Sequence, residues 1–201
     1  MKQKTAAPAR RRPAAAPQSH QVRIIGGQWK RSKLAVAEQP GLRPTPDRVR
    51  ETLFNWLGQD LTGWRCIDVF AGTGALGFEA ASRGAKEVLL VEQDAALVLQ
   101  LKRVQAQLQA AAARIVRGDG LAALRQLDRA SMDAVFLDPP FDSPLFEAAL
   151  QAAGRAVAAD GFVYLEAPLA WADAQLADFG LTLHRYLKAG AVHAHLLKRV
   201  A

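Results

Sequence analysis

The feature that most constrains this chain is a glycine loop set between an apolar run and a helix-compatible stretch, Asp68-Val-Phe-Ala-Gly-Thr-Gly-Ala-Leu-Gly-Phe-Glu79. Cys66–Phe70 suits a short buried parallel strand. Ala75–Ser82 is rich in Ala, Leu and Phe, so Gly72, Gly74 and Gly77 form a G-x-G-x-x-G at a strand-to-helix turn. Glycine there tightens the turn, lets backbone approach a ligand, and lets the helix pack closely on its strand. The helix N-terminus favours an anionic ligand group. A second apolar run, Val88–Val91, ends in Glu92, twenty residues after Gly72. A carboxylate at that strand end suits acceptance of hydrogen bonds from ribose hydroxyls. Phe70 and Leu76, on either side of the turn, complete the candidate cofactor loop. Alone, the loop leaves three readings open: a nicotinamide or flavin enzyme, an S-adenosylmethionine (SAM) enzyme, and a nucleotide site without catalysis.

The segment Phe136-Leu-Asp-Pro-Pro-Phe141 decides among them. Met132–Leu137 reads as a further buried strand, so Asp138, Pro139, Pro140 and Phe141 lie at its carboxyl end, on the same sheet edge as the glycine loop. An exocyclic amine on a nucleobase is a poor nucleophile because its lone pair is delocalised into the ring. Asp138 can accept one N–H and the stiffly held carbonyl of Pro139 the other, which favours a more pyramidal, reactive nitrogen, while Phe141 stacks on the base. The plainer reading of the same residues is a solvated turn that ends a core strand.

Together, the glycine loop, Glu92 and Asp138-Pro-Pro-Phe141 resemble the class I SAM-dependent methyltransferases that modify amino nitrogens. Upstream, Arg23-Ile-Ile-Gly-Gly-Gln-Trp-Lys-Arg-Ser-Lys-Leu34 and Gly41-Leu-Arg-Pro-Thr-Pro-Asp-Arg-Val-Arg-Glu-Thr-Leu-Phe-Asn-Trp-Leu57 narrow the resemblance to the bacterial RsmD family, the 16S ribosomal RNA (guanine-966 N2)-methyltransferases. The resemblance runs from about residue 22 to the C-terminus. It departs at Thr73, where Ser is expected, and at Pro46, where a second Thr is common; neither change alters the chemistry, since Ser and Thr share a hydroxyl and Pro is favoured at a helix start. It implies SAM as cofactor, methyl transfer to guanine N2, and as partner the 16S ribosomal RNA in the small ribosomal subunit or an assembly intermediate. It also implies a seven-stranded, doubly wound, Rossmann-like sheet.

Charge is distributed unevenly. Residues 1–50 carry 12 Lys/Arg against 2 Asp/Glu, and residues 51–201 carry 14 against 17, which together give the net charge of +7. Lys2–Arg12 reads as a solvated tail. Arg23, Lys30, Arg31, Lys33, Arg43, Arg48 and Arg50 stand instead in a patterned segment with Trp29 and Thr45, a combination suited to gripping phosphates and stacking a base.

The remaining pattern sets the architecture. Val22–Ile25 and Leu34–Ala37 read as a hairpin and Asp47–Leu57 as a helix, so residues 21–60 form a basic N-terminal extension between a disordered tail at 1–20 and a methyltransferase domain at 61–201. Downstream, strands at Cys66–Phe70, Val88–Val91, Arg114–Val116, Met132–Leu137 and Phe162–Leu165 alternate with helical stretches near 75–83, 94–111, 120–127 and 144–158, which implies a mostly parallel α/β sheet. Two last runs, Leu181–Leu187 and His193–Arg199, read as a closing antiparallel pair. Asp119 and Gly120, after the third strand, are placed to meet an adenine ring. Asp68 has two readings, a contact to the cofactor's amino group or support of the loop.

Cys66 reads as a buried hydrophobe, and a lone cysteine forms no internal disulfide, which suits a reducing, cytoplasmic compartment. No run approaches the roughly 20 apolar residues of a membrane span. His184, His193 and His195 lack metal-ligand spacing, so no metal is expected. Trp56, Trp64 and Trp171 read as packing, and the protein as a monomer. The competing functions are a DNA adenine N6-methyltransferase, which would use the same amine clamp, a protein glutamine methyltransferase, which more usually has Asn in place of Asp138, and a SAM- or RNA-binding protein without activity, which would not need Asp138–Phe141.

Overall fold

The computed structural model describes residues 21–35 and 45–200. The expected tail at 1–20, Arg43, and residues 36–37 of the expected second hairpin strand lie outside them. The described chain begins with an antiparallel hairpin, β1 (Gln21–Arg23) and β2 (Lys33–Ala35), followed by helix α1 (Asp47–Trp56). Five units then alternate strand and helix: β3 (Arg65–Asp68), α2 (Ala75–Ser82), β4 (Glu87–Glu92), α3 (Ala95–Leu108), β5 (Ala113–Arg117), α4 (Gly120–Gln126), β6 (Met132–Leu137), α5 (Phe146–Ala156), β7 (Val157–Ala167) and α6 (Asp173–Ala177). The chain closes with β8 (Leu181–Ala189) and β9 (Val192–Arg199).

Seven strands form one sheet in the order β5-β4-β3-β6-β7-β9-β8. β3 to β7 are mutually parallel, and β9 runs antiparallel to β7 and β8. The chain order reverses between β3 and β6, so the carboxyl ends of those strands border the crevice where open α/β sheets take ligands. Both faces are covered, which is why the parallel strands read as continuous apolar runs. Cys66, Ala134, Phe136 and Tyr164 pack on one face with Leu53, Phe54, Phe78 and Leu101, while Ile67, Val135, Leu137 and Leu165 pack on the other with Leu121, Leu124 and Leu150.

Two elements differ from the sequence pattern. β7 begins at Val157 rather than Phe162, because Val157 pairs with Met132 before an irregularity in register carries the strand past Asp160-Gly161. α6 is five residues long, too short to display a helical period, and its Asp173 carboxylate accepts from the Thr182 hydroxyl and the Leu183 N–H.

The hairpin is bound to the sheet by one fully buried carboxylate, that of Glu79 on α2. Its Oε2 accepts from Ile25 N at 2.7 Å and faces Arg50 Nη1 at 3.4 Å; its Oε1 accepts from Gly26 N at 2.7 Å and from Arg83 Nε at 2.9 Å. Ser82, one turn on, donates its hydroxyl to the Gly26 carbonyl and accepts from Trp29 N. Gly27 lies between these contacts with φ +73°, and a Cβ there would sit 1.9 Å from the Ser82 carbonyl oxygen, so only glycine fits.

Glu79→Ala removes the buried carboxylate shared by Arg50, Arg83 and two hairpin N–H groups, leaving Arg50 with Asp47 as its only ion pair among the described residues, and is expected to destabilise the fold by about 3–5 kcal/mol. Urea unfolding at neutral pH measures the change. A loss below about 1 kcal/mol would mean the clasp contributes no more than a surface ion pair.

Candidate active site

The glycine loop lies between β3 and α2, as expected. Gly74 adopts φ +76° as the residue before the first helical turn, a left-handed conformation that favours glycine. The first N–H groups of α2 lack intrahelical acceptors, and Asp68 takes one of them, its Oδ2 accepting from Gly77 N at 2.9 Å. Asp68 thus supports the loop directly. Glu92, at the end of β4, holds the loop from the other side, its Oε2 accepting from Gly72 N at 2.9 Å and its Oε1 from Asp94 N at 2.8 Å. Each of these oxygens keeps a second lone pair for a ligand hydroxyl. Asp119 caps α4 through Ala122 N at 2.8 Å, and Gly120 starts that helix against the Val69 carbonyl. Leu76 is buried in the core and Phe70 packs against the opposite apolar layer, so these two bound the loop from beneath.

At the end of β6, Asp138 is half-buried, Pro139 buried, Pro140 exposed and Phe141 37% exposed. The Pro140 carbonyl is turned into a tight bend, accepting from Ser143 N at 3.0 Å and from the Ser143 hydroxyl at 2.6 Å. By contrast, neither the Asp138 carboxylate nor the Pro139 carbonyl accepts a hydrogen bond from any described residue. Among the described residues, these two adjacent acceptors at the crevice have no donors.

One residue that completes this edge, Glu166, is not among those expected from the sequence. Glu166, within β7, follows Leu165, the register partner of Leu137, which places it beside Asp138, the residue that follows β6. It is 2% exposed, and its Oε1 accepts from the Thr45 hydroxyl at 2.6 Å and the Tyr164 hydroxyl at 2.9 Å. An acid ending the apolar run Phe-Val-Tyr-Leu-Glu166, like Glu92 ending β4, was the available signal. Asp68, Asp138 and Glu166 therefore form a cluster of acids under low-dielectric cover. Burial raises the Asp68 carboxyl to about 7, opposed by the Gly77 N–H and reinforced by Glu92 and Glu166. Burial, then Glu166 and Asp68, raise Asp138 well above its ordinary value. Glu166 is also raised by burial, against the Thr45 and Tyr164 hydrogen bonds and the Arg50 charge.

Of the expected RNA-facing residues, Arg23, Lys30, Arg31, Lys33 and Arg48 are exposed, and Arg23 pairs with Asp47 at 3.2 Å. Arg50 is a correction. It is fully buried, with Nη2 donating to Asp47 Oδ1 at 2.7 Å and to the Arg23 carbonyl at 2.8 Å, and Nε to the Thr45 carbonyl at 3.3 Å. Its guanidinium is committed to the interior and offers nothing to a phosphate. Thr45 is likewise buried and committed to Glu166, and Trp29 packs half-buried against the core instead of presenting an open face. A cavity of about 670 Å³ bordered by Arg125, Arg129, Arg155 and Arg199 opens at the amino edge of the sheet, away from these groups. Among the described residues, no cluster of His, Cys, Asp and Glu is arranged to hold a metal, and no helix is long and apolar enough to cross a membrane.

Comparison with known proteins agrees with this geometry. The family model described as Conserved hypothetical protein 95 matches residues 22–198. Ribosomal RNA small subunit methyltransferase D of Escherichia coli (strain K12) is 42% identical over 194 residues, covering 91% of this chain and 92% of that protein. The protein of the same name from Haemophilus influenzae (strain ATCC 51907 / DSM 11121 / KW20 / Rd) is 46% identical over 133 residues, covering 65% and 69%. Among solved structures, "Putative methyltransferase yhhF from Escherichia coli" superposes with a TM-score of 0.76 at 39% identity, covering 90% of this chain and 98% of that one.

The raised Asp68 carboxyl yields a pH prediction. Between its ordinary value near 4 and about 7 the folded protein keeps a proton that the unfolded chain releases. That contribution to stability is complete below about pH 4 and is lost as pH rises through about 7, at up to about 1.4 kcal/mol per pH unit. Asp68→Asn keeps an acceptor for Gly77 N but removes the titration. Wild type should lose about 2–3 kcal/mol more than the variant between pH 5 and pH 8 in urea unfolding. Parallel profiles would show that Asp68 titrates normally.

Proposed function

The chain belongs to the family described as Conserved hypothetical protein 95, and from that membership we propose that it is a SAM-dependent ribosomal RNA methyltransferase acting on the N2 amino group of a guanine in the 16S RNA of the small subunit. The observation that carries this reading is the pair of acceptors at the switch point of the sheet, Asp138 and the Pro139 carbonyl, to which no described residue donates. A primary amine presents two N–H donors and matches them. The groups around the glycine loop fit the cofactor: Glu92 retains lone pairs for a ribose diol, Gly72 and Gly74 keep the turn free of side chains, and the start of α2 faces the carboxylate end. When bound there, SAM supplies the electrophilic methyl group.

The chain's own residues supply positioning and electrostatics. Asp138 and the Pro139 carbonyl orient the N2 lone pair toward the methyl carbon, at a reacting distance of about 3–3.5 Å. As the new C–N bond makes the nitrogen cationic, the Asp138 carboxylate stabilises it and accepts the proton it surrenders. Phe141, 37% exposed beside the acceptors, supplies a stacking surface for a base turned out of its helix. Lys30, Arg31, Lys33 and Arg48 are exposed on the hairpin and the start of α1, and we assign them to phosphates of the same RNA.

Incubation with labelled SAM and naked 16S RNA, small subunits, DNA or protein, followed by nucleoside mass spectrometry, tests the substrate. Labelled N2-methylguanine from RNA or subunits is expected; N6-methyladenine or labelled protein would overturn the reading. Asp138→Ala should keep SAM affinity by calorimetry and lower single-turnover transfer by roughly 10²–10⁴-fold. A near-normal rate would remove Asp138 from the amine clamp.

Neutralising Lys30, Arg31 and Lys33 together should flatten the log-affinity against log-salt slope for RNA by as much as about 2, at about 0.7 per phosphate contact on single strands. SAM affinity should not change. An unaltered slope, measured by RNA binding across a salt series, would move the phosphate contacts elsewhere.

A further inference from the structure

The amine clamp does not by itself choose a base. Guanine N2 and adenine N6 are both primary amines, and Asp138 with the Pro139 carbonyl accepts from either. What distinguishes the two is the ring nitrogen beside the amine: N1 of guanine carries a proton, whereas N1 of adenine carries a lone pair. A selective site therefore needs a third group, level with the clamp, whose polarity matches one and opposes the other.

Glu166 stands at that position. It is the next residue of β7 after Leu165, the register partner of Leu137, as Asp138 is the next residue after the end of β6, and the two strands are neighbours in the sheet. Its two oxygens are not equivalent. Oε1 receives both the Thr45 and the Tyr164 hydroxyls, while no described residue donates to Oε2. Two donors on one oxygen hold the carboxylate plane and leave the other oxygen as an acceptor with a defined orientation. Tyr164 is 1% exposed and Thr45 5%, so the anchor is itself immobilised by packing. A carboxylate oxygen, beside an acceptor for the amine, matches the parallel N1–H and N2–H donors along one edge of guanine.

We propose that Glu166 is the residue that selects guanine, its Oε2 accepting the N1–H of the target base while Asp138 and the Pro139 carbonyl hold the N2 amine. The inference rests on the guanine N2 reading above and adds the group that enforces it. Against adenine, or any purine with a bare N1, the same oxygen meets a lone pair, and the buried acceptor is left unmatched. Thr45 and Tyr164 are positioning residues for this contact. The commitment of the Thr45 hydroxyl to Glu166 also explains why that residue, drawn from the basic N-terminal segment, is buried instead of facing RNA.

2-Aminopurine tests the feature, because it retains the 2-amino group but has an unprotonated N1; since it also lacks the 6-carbonyl, the comparison with Glu166→Gln is what assigns a preference to N1. Small-subunit RNA carrying guanine or 2-aminopurine at the nucleotide that wild type labels is used in single-turnover methylation with wild type and Glu166→Gln. Gln can still accept from Thr45 and Tyr164 through its amide oxygen while presenting an N–H donor where Oε2 was. Wild type should prefer guanine by about 10- to 100-fold. Glu166→Gln should bring the ratio near unity or below, with SAM affinity by calorimetry and thermal unfolding near those of wild type.

If wild type methylates guanine but uses 2-aminopurine equally well, Glu166 does not read N1, and this result is independent of how any variant folds. A preference unchanged in a folded Glu166→Gln protein overturns the assignment as well. If wild type places no methyl group on a guanine of the RNA, the guanine N2 reading itself fails, and that outcome is distinct from the other two.

Discussion

The arrangement of this protein depends on the buried carboxylate of Glu79. A carboxylate without partners in such a place would be penalised by several kcal/mol, so it persists only because donors converge on it from three directions. The hairpin turn contributes the Ile25 and Gly26 N–H groups, α1 contributes Arg50, and α2 itself contributes Arg83. α2 is also the helix that begins at the glycine loop. The hairpin and α1 are thus referenced to the cofactor loop by short, charge-assisted bonds and not by apolar contact alone. Arg50 extends the chain of contacts to the Thr45 carbonyl, and the Thr45 hydroxyl extends it to Glu166. One continuous polar network therefore runs from the start of α2 to the edge of β7. Groups that must meet within a few tenths of an ångström are held by the same scaffold, which is where orientation in catalysis comes from.

That scaffold tolerates a feature that opposes its own stability. Asp68, Asp138 and Glu166 share one sheet edge; burial raises all three, and repulsion from neighbouring carboxylates adds to it at Asp68 and Asp138. Tyr164 is raised for the same reasons. Asp68 is partly compensated by Gly77 N, and Glu166 by two hydroxyls and the Arg50 charge, but Asp138 is compensated by no described residue. The residual penalty is concentrated at the one carboxyl assigned to the substrate. A ligand that brings N–H donors to Asp138 relieves it, so part of the specificity for an amine comes from a cost already present in the free protein.

How much of this was legible in the sequence follows from the range of each interaction. The strands β3, β4 and β6 were read because parallel strands buried on both faces are apolar throughout, and the glycine loop because its turn demands a local conformation. Helix α1 was read from Val49, Leu53, Phe54 and Leu57. The same spacing places Arg50 on that face, at i, i+3, i+4 and i+7 with Leu53, Phe54 and Leu57, but a basic run invites all its charges to be assigned to solvent. Its bonds to Asp47 and Thr45 are local, but the fully buried counterion Glu79 lies 29 residues away and the Arg23 carbonyl 27, and these two long-range contacts are what draw it inside. Glu166 was missed for a related reason. Its partner Thr45 is 121 residues distant, and only sheet order places β7 beside β6. Local chemistry was readable at the ends of single strands, whereas chemistry assembled across strands required the topology.

The burial of Arg50 also changes how the charge of this chain works. The N-terminal fifty residues hold a large excess of Lys and Arg, yet within the described part Arg50 is internal and Arg23 is engaged with Asp47, leaving Lys30, Arg31, Lys33 and Arg48 exposed without an ion pair. Because Ser82 and Glu79 anchor the turn between Ile25 and Trp29, the first three of these project from a segment fixed to α2. The sheet edge beside them is acidic. A phosphate is attracted to the exposed Lys and Arg of the hairpin, whereas the oxygen acceptors of the sheet edge suit a neutral group bearing N–H donors. On the function proposed above, the basic hairpin would take an RNA backbone and the acidic sheet edge its turned-out base, two neighbouring surfaces of opposite character for two chemically opposite parts of one substrate.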